Sequence, residues 1–346
     1  MSAPLENPQS GLLQKGENIM KNFKYNLQLF AELNTNLTTS SGLTDEMKTY
    51  YSDYLIDNAI PKLVHDQFGQ KHPIPKNGGK TIEFRKYSPL PKLTTPISEG
   101  VTPDGQNLTM SVVTATVAQY GGYITLSDVL LLTAIDNNLV QATKLLGAQA
   151  GATLDTIVRE VLNGGTNVIF AGGKSAREDL DASSLLMVDD IKKAVRLLKT
   201  QNAEQISGSW VSIIHPDVSY DLTNDPAWKD VKNYSDPSDI YEGEIGKLYG
   251  VRFVETTEAK IWAGAGAGSR AVYSTLILGD NAYGTTEITG GGLQHIVKQL
   301  GSAGTGDPLD QRATAGWKAT KVAERLVENY MVRIESASTF NPAENN

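Results

Sequence analysis

The sequence contains no cysteine, and this absence excludes several kinds of chemistry together. The chain can form no disulfide and offers no thiolate nucleophile or thiolate metal ligand, which suits assembly in a reducing cytoplasm. No apolar run approaches the roughly 18 residues that a membrane-spanning helix requires, so we expect no membrane partner. Residues 1–19 also lack the apolar segment of a secretory signal, and we interpret them as a disordered leader, with Met20 as an alternative start.

Positive charge is also scarce. The 346 residues include 31 lysines and arginines against 39 acidic residues, which gives a net charge of −8. The summed field repels nucleic acid, and this weighs against a protein that reads DNA or RNA directly. With 40% apolar and 20% charged residues, the composition is that of an ordinary globular protein with one large or two medium domains.

The most informative feature present is a long ribbon of β-type sequence. Residues 81–87 alternate apolar and charged side chains, and residues 108–120 are dense in β-branched ones. The segment between them is too long for an ordinary hairpin turn and contains Pro89, Pro91, Pro96 and Pro103. Because an isolated two-stranded hairpin is marginal in water, the ribbon needs support, and a neighbouring copy of the same chain is the economical source.

A long amphipathic helix is predicted over residues 138–162, with a C-terminal stop at residues 163–165. Its apolar residues recur at spacings of three and four: Leu139, Ala142, Leu146, Ala150, Leu154, Ile157, Val158 and Val161. Gly147 and Gly151 interrupt this helix four residues apart. Their spacing predicts that another backbone crosses the helix closely there.

The remaining elements are shorter. At the N-terminal end, residues 25–33 suit a docking arm, a helix is predicted from Thr44 to just before Pro61, and another opens at Ser127. A compact α/β segment follows, with helices at 187–198 and 217–224, strands at 210–214, 251–255 and 275–278, and a loop at 263–269. Strands are predicted at 293–300, 311–320 and 329–337, whereas residues 321–328 fit a helix or a bent strand equally well.

Two glycine-rich stretches resemble phosphate-binding loops only superficially. Residues 172–175 read Gly-Gly-Lys-Ser, but the motif requires glycine where this chain has Val168, and no apolar helix follows. The alternating Gly-Ala run at 263–269 has no lysine and precedes a strand, so a surface loop is the better interpretation.

No constellation of residues carries a recognisable catalytic or metal-binding pattern. His65, His72, His215 and His295 lack a second ligand at metal-binding spacing on a helix face. The Asp-rich pieces at 179–181 and 236–239 lack the ligand series of a calcium loop, and turn or cap chemistry explains them. We therefore expect no catalytic residue, no cofactor and no metal ligand, and a protein that is not an enzyme.

The order of these elements resembles the major capsid protein of tailed bacteriophages. Local strings carry the resemblance: NLQLFA at 26–31, IGKLYGV at 245–251, DPLDQR at 307–312 and GWK at 316–318. Each string is moderately specific alone, and together in this order they are highly specific. The resemblance covers nearly the whole chain from Met20 and is closest to the N4-type branch of the HK97-like fold.

This resemblance implies an α+β, HK97-like capsid fold divided into named parts. After the leader at 1–19 come an N-terminal arm with a helix at 20–68, an extended β-hairpin loop at 69–122, and a peripheral domain at 123–184 that contains the spine helix, 136–163. An axial domain at 185–290 and a peripheral return with C-terminal tail at 291–346 complete the chain. Some members crosslink a loop lysine to a neighbour, but nothing in this sequence supplies the partner group.

The function implied is that of a structural subunit whose pentamers and hexamers close into an icosahedral head. That head, assembled in the host cytoplasm, would enclose double-stranded DNA without sequence-specific binding. Scaffold, portal and decoration proteins are possible partners. Two other classes stay open: another self-assembling shell (encapsulin-like) or surface-array protein, and, less favoured, a nucleotide-binding enzyme with its site near Lys174 or the loop at 263–269.

Overall fold

The computed structural model describes residues 35–36, 64–100, 102, 104–134, 138–232, 246–302 and 306–346. The predicted leader, most of the N-terminal arm and the helix after Thr44 lie outside these residues. None of the described helices is long and apolar enough to cross a membrane.

Strands dominate the described part of the chain. They are β1 Thr35–Asn36, β2 Gln70–Lys71, β3 Thr81–Tyr87, β4 Met110–Thr116, β5 Ala118–Ser127, β6 Val168–Phe170, β7 Trp210–Ile214, β8 Lys247–Leu248, β9 Val251–Glu255, β10 Ile261–Trp262, β11 Val272–Leu278, β12 Tyr283–Thr286, β13 Gln294–Lys298, β14 Arg312–Arg325 and β15 Met331–Ser336. The α-helices are α1 Asp128–Thr133, α2 Asn138–Asn163, α3 Val188–Thr200, α4 Pro216–Asn224 and α5 Pro226–Lys232.

A seven-stranded sheet forms the larger core. Its strand order is β6-β15-β11-β7-β9-β8, with β10 paired to β11, and every residue of β7, β11 and β15 is buried. Because side chains alternate across a strand, Ile214 and Ile277 pack with α3 on one face, while Ile213 and Leu276 pack with the C-terminal part of α2 on the other. Burial on both faces explains why β7 is almost entirely apolar, whereas β15 also buries the charged pair Arg333 and Glu335.

A six-stranded sheet is built around the long strand β14. The main order is β1-β5-β14-β12-β2, and β13 also pairs with β14. Ala315, Trp317 and Ala319 of β14 pack against Leu146 and Ala150 of α2. The helix therefore joins the two sheets, and its 26 residues span about 39 Å at 1.5 Å per residue.

The sequence predicted most of these elements within a few residues. The limb predicted at 108–120 is divided, because β4 pairs with β3 whereas β5 leaves the hairpin to pair with β14. The ambiguous residues 321–328 continue β14 as far as Arg325, and a short 3-10 helix, Glu328–Tyr330, follows. β11 begins three residues before the predicted start at Thr275, because Val272 and Tyr273 pair with β10 and Tyr273 also pairs with β15.

The sheets exchange strands across the segment boundaries suggested by the resemblance. β12, from the segment 185–290, lies in the six-stranded sheet, and β15, from the segment 291–346, lies between β6 and β11 in the seven-stranded sheet. The division into axial and peripheral domains stays a prediction.

The expectation of a close backbone crossing at Gly147 is wrong within the chain. This glycine is exposed on α2, and a Cβ atom built on it would meet no other atom within 4 Å. A spacing of small residues on a helix does not by itself require a partner backbone.

Candidate assembly interface

The base of the β3–β4 hairpin is anchored on the body of the protein. The two strands pair in register from Thr81 with Thr116 to Tyr87 with Met110. The Phe84 ring packs edge-on against His72, with ring centroids 5.6 Å apart, and a Cβ atom at Gly284 of β12 would lie 3.2 Å from that ring. Glycine at this position of β12 therefore allows the Phe84 ring to lie close to the six-stranded sheet.

Beyond this base, the hairpin has no burial of its own. Every described residue from 85 to 112 is exposed. The tip nevertheless carries large apolar side chains; Leu93 is 78% exposed, Ile97 73% and Leu108 73%, and Tyr87, Leu90, Met110 and Val112 are exposed too. An exposed apolar stretch of this length is typical of a surface that binds another molecule.

A buried polar cluster fixes the chain just before the hairpin. The backbone N–H of His65 donates to Asp155 Oδ1 at 2.8 Å, and His65 Nδ1 lies 2.6 Å from Asp155 Oδ2. The Tyr283 hydroxyl donates to the His65 carbonyl. Burial raises the pKa of Tyr283 well above its ordinary value, so the phenol keeps the proton that it donates. This cluster ties the chain leading into the hairpin to α2 and β12.

A second polar cluster fixes the C-terminal end of α2 to the seven-stranded sheet. Buried Glu335 accepts from Arg177 Nε and Nη2 at 2.7 Å each and from Arg333 Nε at 2.9 Å. Arg333 also donates to the carbonyls of Asn163 and Gly165 at the end of α2. Burial lowers the pKa of Arg333, whereas the hydrogen bonds to Glu335 raise that of Arg177. The cluster has a structural role, because each charge is directed at another part of the fold.

The sequence interpretation missed these two clusters. Their partners are far apart in the chain, His65 from Asp155 by 90 residues and Arg177 from Glu335 by 158. One signal was available for the first cluster, because Asp155 stands among the apolar residues Leu154, Ile157 and Val158 of the predicted long helix. Charged residues in such a stripe require partners from other elements.

The rejected phosphate loop is occupied by an internal contact. Lys174 Nζ donates to Asp181 Oδ2 at 2.8 Å, and Gly172 and Gly173 adopt positive φ angles in a turn. The hydrogen bond from Lys174 lowers the pKa of Asp181, with further bonds from Ser183. Among the glycines at 263–269, Gly266 donates its N–H to the Arg270 carbonyl, which closes a loop.

The remaining histidines lie in different elements of the fold. His215 accepts from the Asp217 N–H at the start of α4, and His72 and His295 are exposed. Within the described ranges, no group of three or more His, Cys, Asp or Glu side chains is placed to hold a metal ion. The Asp-rich residues 236–239 lie outside those ranges.

A projecting hairpin, a long helix between two sheets and a mixed α+β core define the class of HK97-like shell proteins. The sequence profile of a family described as "Phage capsid protein" matches residues 90–299, more than half of the chain. The chain therefore belongs to the phage capsid protein family, and it is a structural subunit of a phage capsid. No curated protein matches it.

Solved capsid structures share the fold at low sequence identity. The chain is 15% identical to one from the cyanophage Pam1 capsid asymmetric unit, with a TM-score of 0.67 over 88% of this chain and 99% of that one. It is 14% identical to the capsid chain of Ralstonia phage GP4, with a TM-score of 0.65 over 89% and 100%. It is 11% identical to a chain from the head of Helicobacter pylori bacteriophage KHP40, with a TM-score of 0.59 over 89% of this chain and 100% of that one. The predicted α+β, HK97-like fold is confirmed, while the N4-type branch stays a prediction.

Proposed function

We propose that copies of this chain close into an icosahedral shell by laying the hairpin tip of one subunit on the body of the next. The exposure of every described residue from 85 to 112 carries this proposal. Each large apolar side chain that becomes fully buried at such a contact contributes up to about 1.5–3 kcal/mol. One subunit cannot recover that free energy alone, because its hairpin leaves the body after Phe84.

In this proposal the parts of the chain have separate roles. Residues 69–122 reach the neighbour, residues 123–184 and 291–346 form the peripheral domain with the spine helix at 136–163, and residues 185–290 form an axial domain around five-fold and six-fold axes. The N-terminal arm at 20–68 crosses to another neighbour, with residues 1–19 as a leader. Strand β1 supports a docking role for part of the arm, because Thr35 and Asn36 pair in parallel with β5 of their own chain at the edge of the six-stranded sheet.

The shell encloses double-stranded DNA without reading its sequence and assembles in the host cytoplasm. The net charge of −8 supports a container that does not adhere to the packed genome. Scaffold, portal and decoration proteins are the expected partners besides further copies. The protein performs no catalysis, because its role is to supply repeated interfaces.

Removal of residues 89–106 tests the proposal. The shortened subunit is expected to keep its far-UV circular dichroism and its unfolding midpoint, since every described residue among those deleted is exposed. Particle yield, counted by negative-stain electron microscopy, is expected to fall at least about tenfold, because every copy loses the same contact. Normal particles from the deletion variant would refute the role of the hairpin, and a full-length chain that stays monomeric at micromolar concentration would refute shell formation.

A further inference from the structure

Helix α3 contributes most of the lining of a basic groove. The groove has a volume of about 460 Å³ and is lined by Lys192, Val195, Arg196, Lys199, Thr200 and Tyr249. Lys192 Nζ lies 4.9 Å from the centre of the Tyr249 ring, and Lys199 Nζ lies 5.6 Å from that of Trp210. Aromatic rings thus hold two of the three cationic side chains against the fold.

The three cationic side chains of the groove differ from Lys193, on the same helix, in their salt bridges. Lys193 forms salt bridges with Asp189 and Asp190 at 2.9 and 3.0 Å. Within the described part of the chain, by contrast, no carboxylate forms a salt bridge with Lys192, Arg196 or Lys199. The groove therefore presents three positive charges to an outside acidic group.

The chain itself contains a segment with complementary charge. Residues 233–245 include Asp236, Asp239, Glu242 and Glu244, with no lysine or arginine. This segment lies outside the described residues, between the end of α5 at Lys232 and Gly246. It rejoins the described chain close to Tyr249, which lines the groove. Each copy thus carries an acidic segment and a basic groove at neighbouring places in the chain.

We propose that residues 233–245 of one copy bind the basic groove of the next copy in the same ring of subunits. The inference rests on the proposed function and adds a second contact to that of the hairpin. A head-to-tail ring requires two different, complementary patches on every subunit, and the groove and the acidic segment meet that requirement. Charge complementarity selects the register of the contact, because the groove of one copy repels the groove of another.

Charge reversal on either side tests this contact. A groove variant carries Lys192→Glu and Arg196→Glu, and a segment variant carries Glu242→Lys and Glu244→Lys. Expressed alone, each is expected to lose capsomers at least about tenfold, because the same contact is weakened at every position of the ring. When the two variants are expressed together, capsomer formation is expected to recover in rings in which they alternate. The reversed segment of one variant then meets the reversed groove of the other, and the unmodified segment meets the unmodified groove. Because strict alternation requires an even number of subunits, recovery is counted in hexamers by native mass spectrometry.

The controls separate the possible failures. Lys298→Glu, which reverses the charge of one lysine on exposed strand β13, is expected to leave hexamers unchanged. Thermal unfolding checks that each variant folds, and Lys199→Glu with Asp236→Lys and Asp239→Lys forms a second test pair. If either variant alone assembles normally, or if only a chain with all four substitutions recovers, the contact between copies is wrong. A groove variant that forms normal hexamers but no longer packages DNA would show that the groove binds DNA, and this would also refute the proposed contact between copies. Failure of the unmodified chain to assemble would instead refute the proposed function.

Discussion

The hairpin tip and the seven-stranded sheet place similar residues in opposite surroundings. All seven residues of β11 are buried between two layers of helices, whereas every described residue from 85 to 112 is exposed despite leucines and an isoleucine among them. Apolar side chains stabilise the subunit only where the chain itself supplies a second layer. The comparison indicates that the body is a finished fold, and that the tip belongs to an interface between molecules.

The largest difference between the two regions is expected from removal of a buried charge. In the Glu335→Gln variant, Arg333 keeps its buried position but loses its ionised partner. Breaking a buried pair typically costs about 3–5 kcal/mol, and we expect the free energy of unfolding to fall by at least about 3 kcal/mol. Urea denaturation of the unassembled subunit measures this.

The matched control for that substitution lies on the hairpin. Glu83 is exposed and lies 3.7 Å from Arg85. The Glu83→Gln variant is expected to change the free energy of unfolding by less than about 0.5 kcal/mol. Equal effects of the two substitutions would contradict the contrast between body and hairpin.

A smaller effect is expected at the boundary between the regions. Phe84 is partly buried against His72 and β12, so Phe84→Ala is expected to lower the free energy of unfolding by about 1–2 kcal/mol, less than for a fully buried phenylalanine. Tyr87 lies three residues farther along the same strand and is 63% exposed. If Tyr87→Ala lowers the free energy of unfolding as much as Phe84→Ala does, the anchored base of the hairpin extends beyond Phe84, contrary to the exposure of Tyr87.

The smallest expected effect is the change in stability at low pH that depends on Glu328. Burial raises the pKa of Glu328, but hydrogen bonds from the backbone of Thr166 and the charge of Arg325 outweigh it and leave the pKa below its ordinary value of 4.5. A lowered pKa stabilises the fold above that value, and the contribution is lost as the pH falls through the folded pKa.

Glu328→Gln is therefore expected to destabilise the subunit by less than about 1 kcal/mol at pH 7, because the side chain is partly exposed. The difference from the unmodified chain is expected to narrow below pH 4.5. Urea denaturation at pH 7 and at pH 3.5 measures both values. A constant difference across this range would show that the carboxylate charge plays no part.

Local sequence patterns predicted the elements that are specified by their own residues. The bounds of β3, β7 and β9 match the predicted strands, and α2 matches the predicted long helix to within one residue. Alternation, continuous apolar runs and a glycine stop act within a few residues and are legible without tertiary structure.

Those local patterns do not predict contacts between residues that are far apart in the chain. The pairing of β5 with β14 divides the predicted limb at 108–120, and it depends on residues nearly 200 positions away. Asp155 lies 90 residues from its partner His65, and Arg177 lies 158 residues from its partner Glu335. The exposure of the tip could be predicted, because its prolines and length exclude an ordinary hairpin, but the site where the tip docks lies on another molecule.

The absence of cysteine allows a direct measurement of whether the tip is buried on assembly. A Leu93→Cys variant carries a single thiol at the tip, and its rate of reaction with a maleimide reports exposure. We expect rapid labelling of the unassembled subunit and a rate at least about tenfold lower in assembled particles. The same rapid labelling in both states would contradict the claim that the hairpin tip is buried on a neighbouring copy.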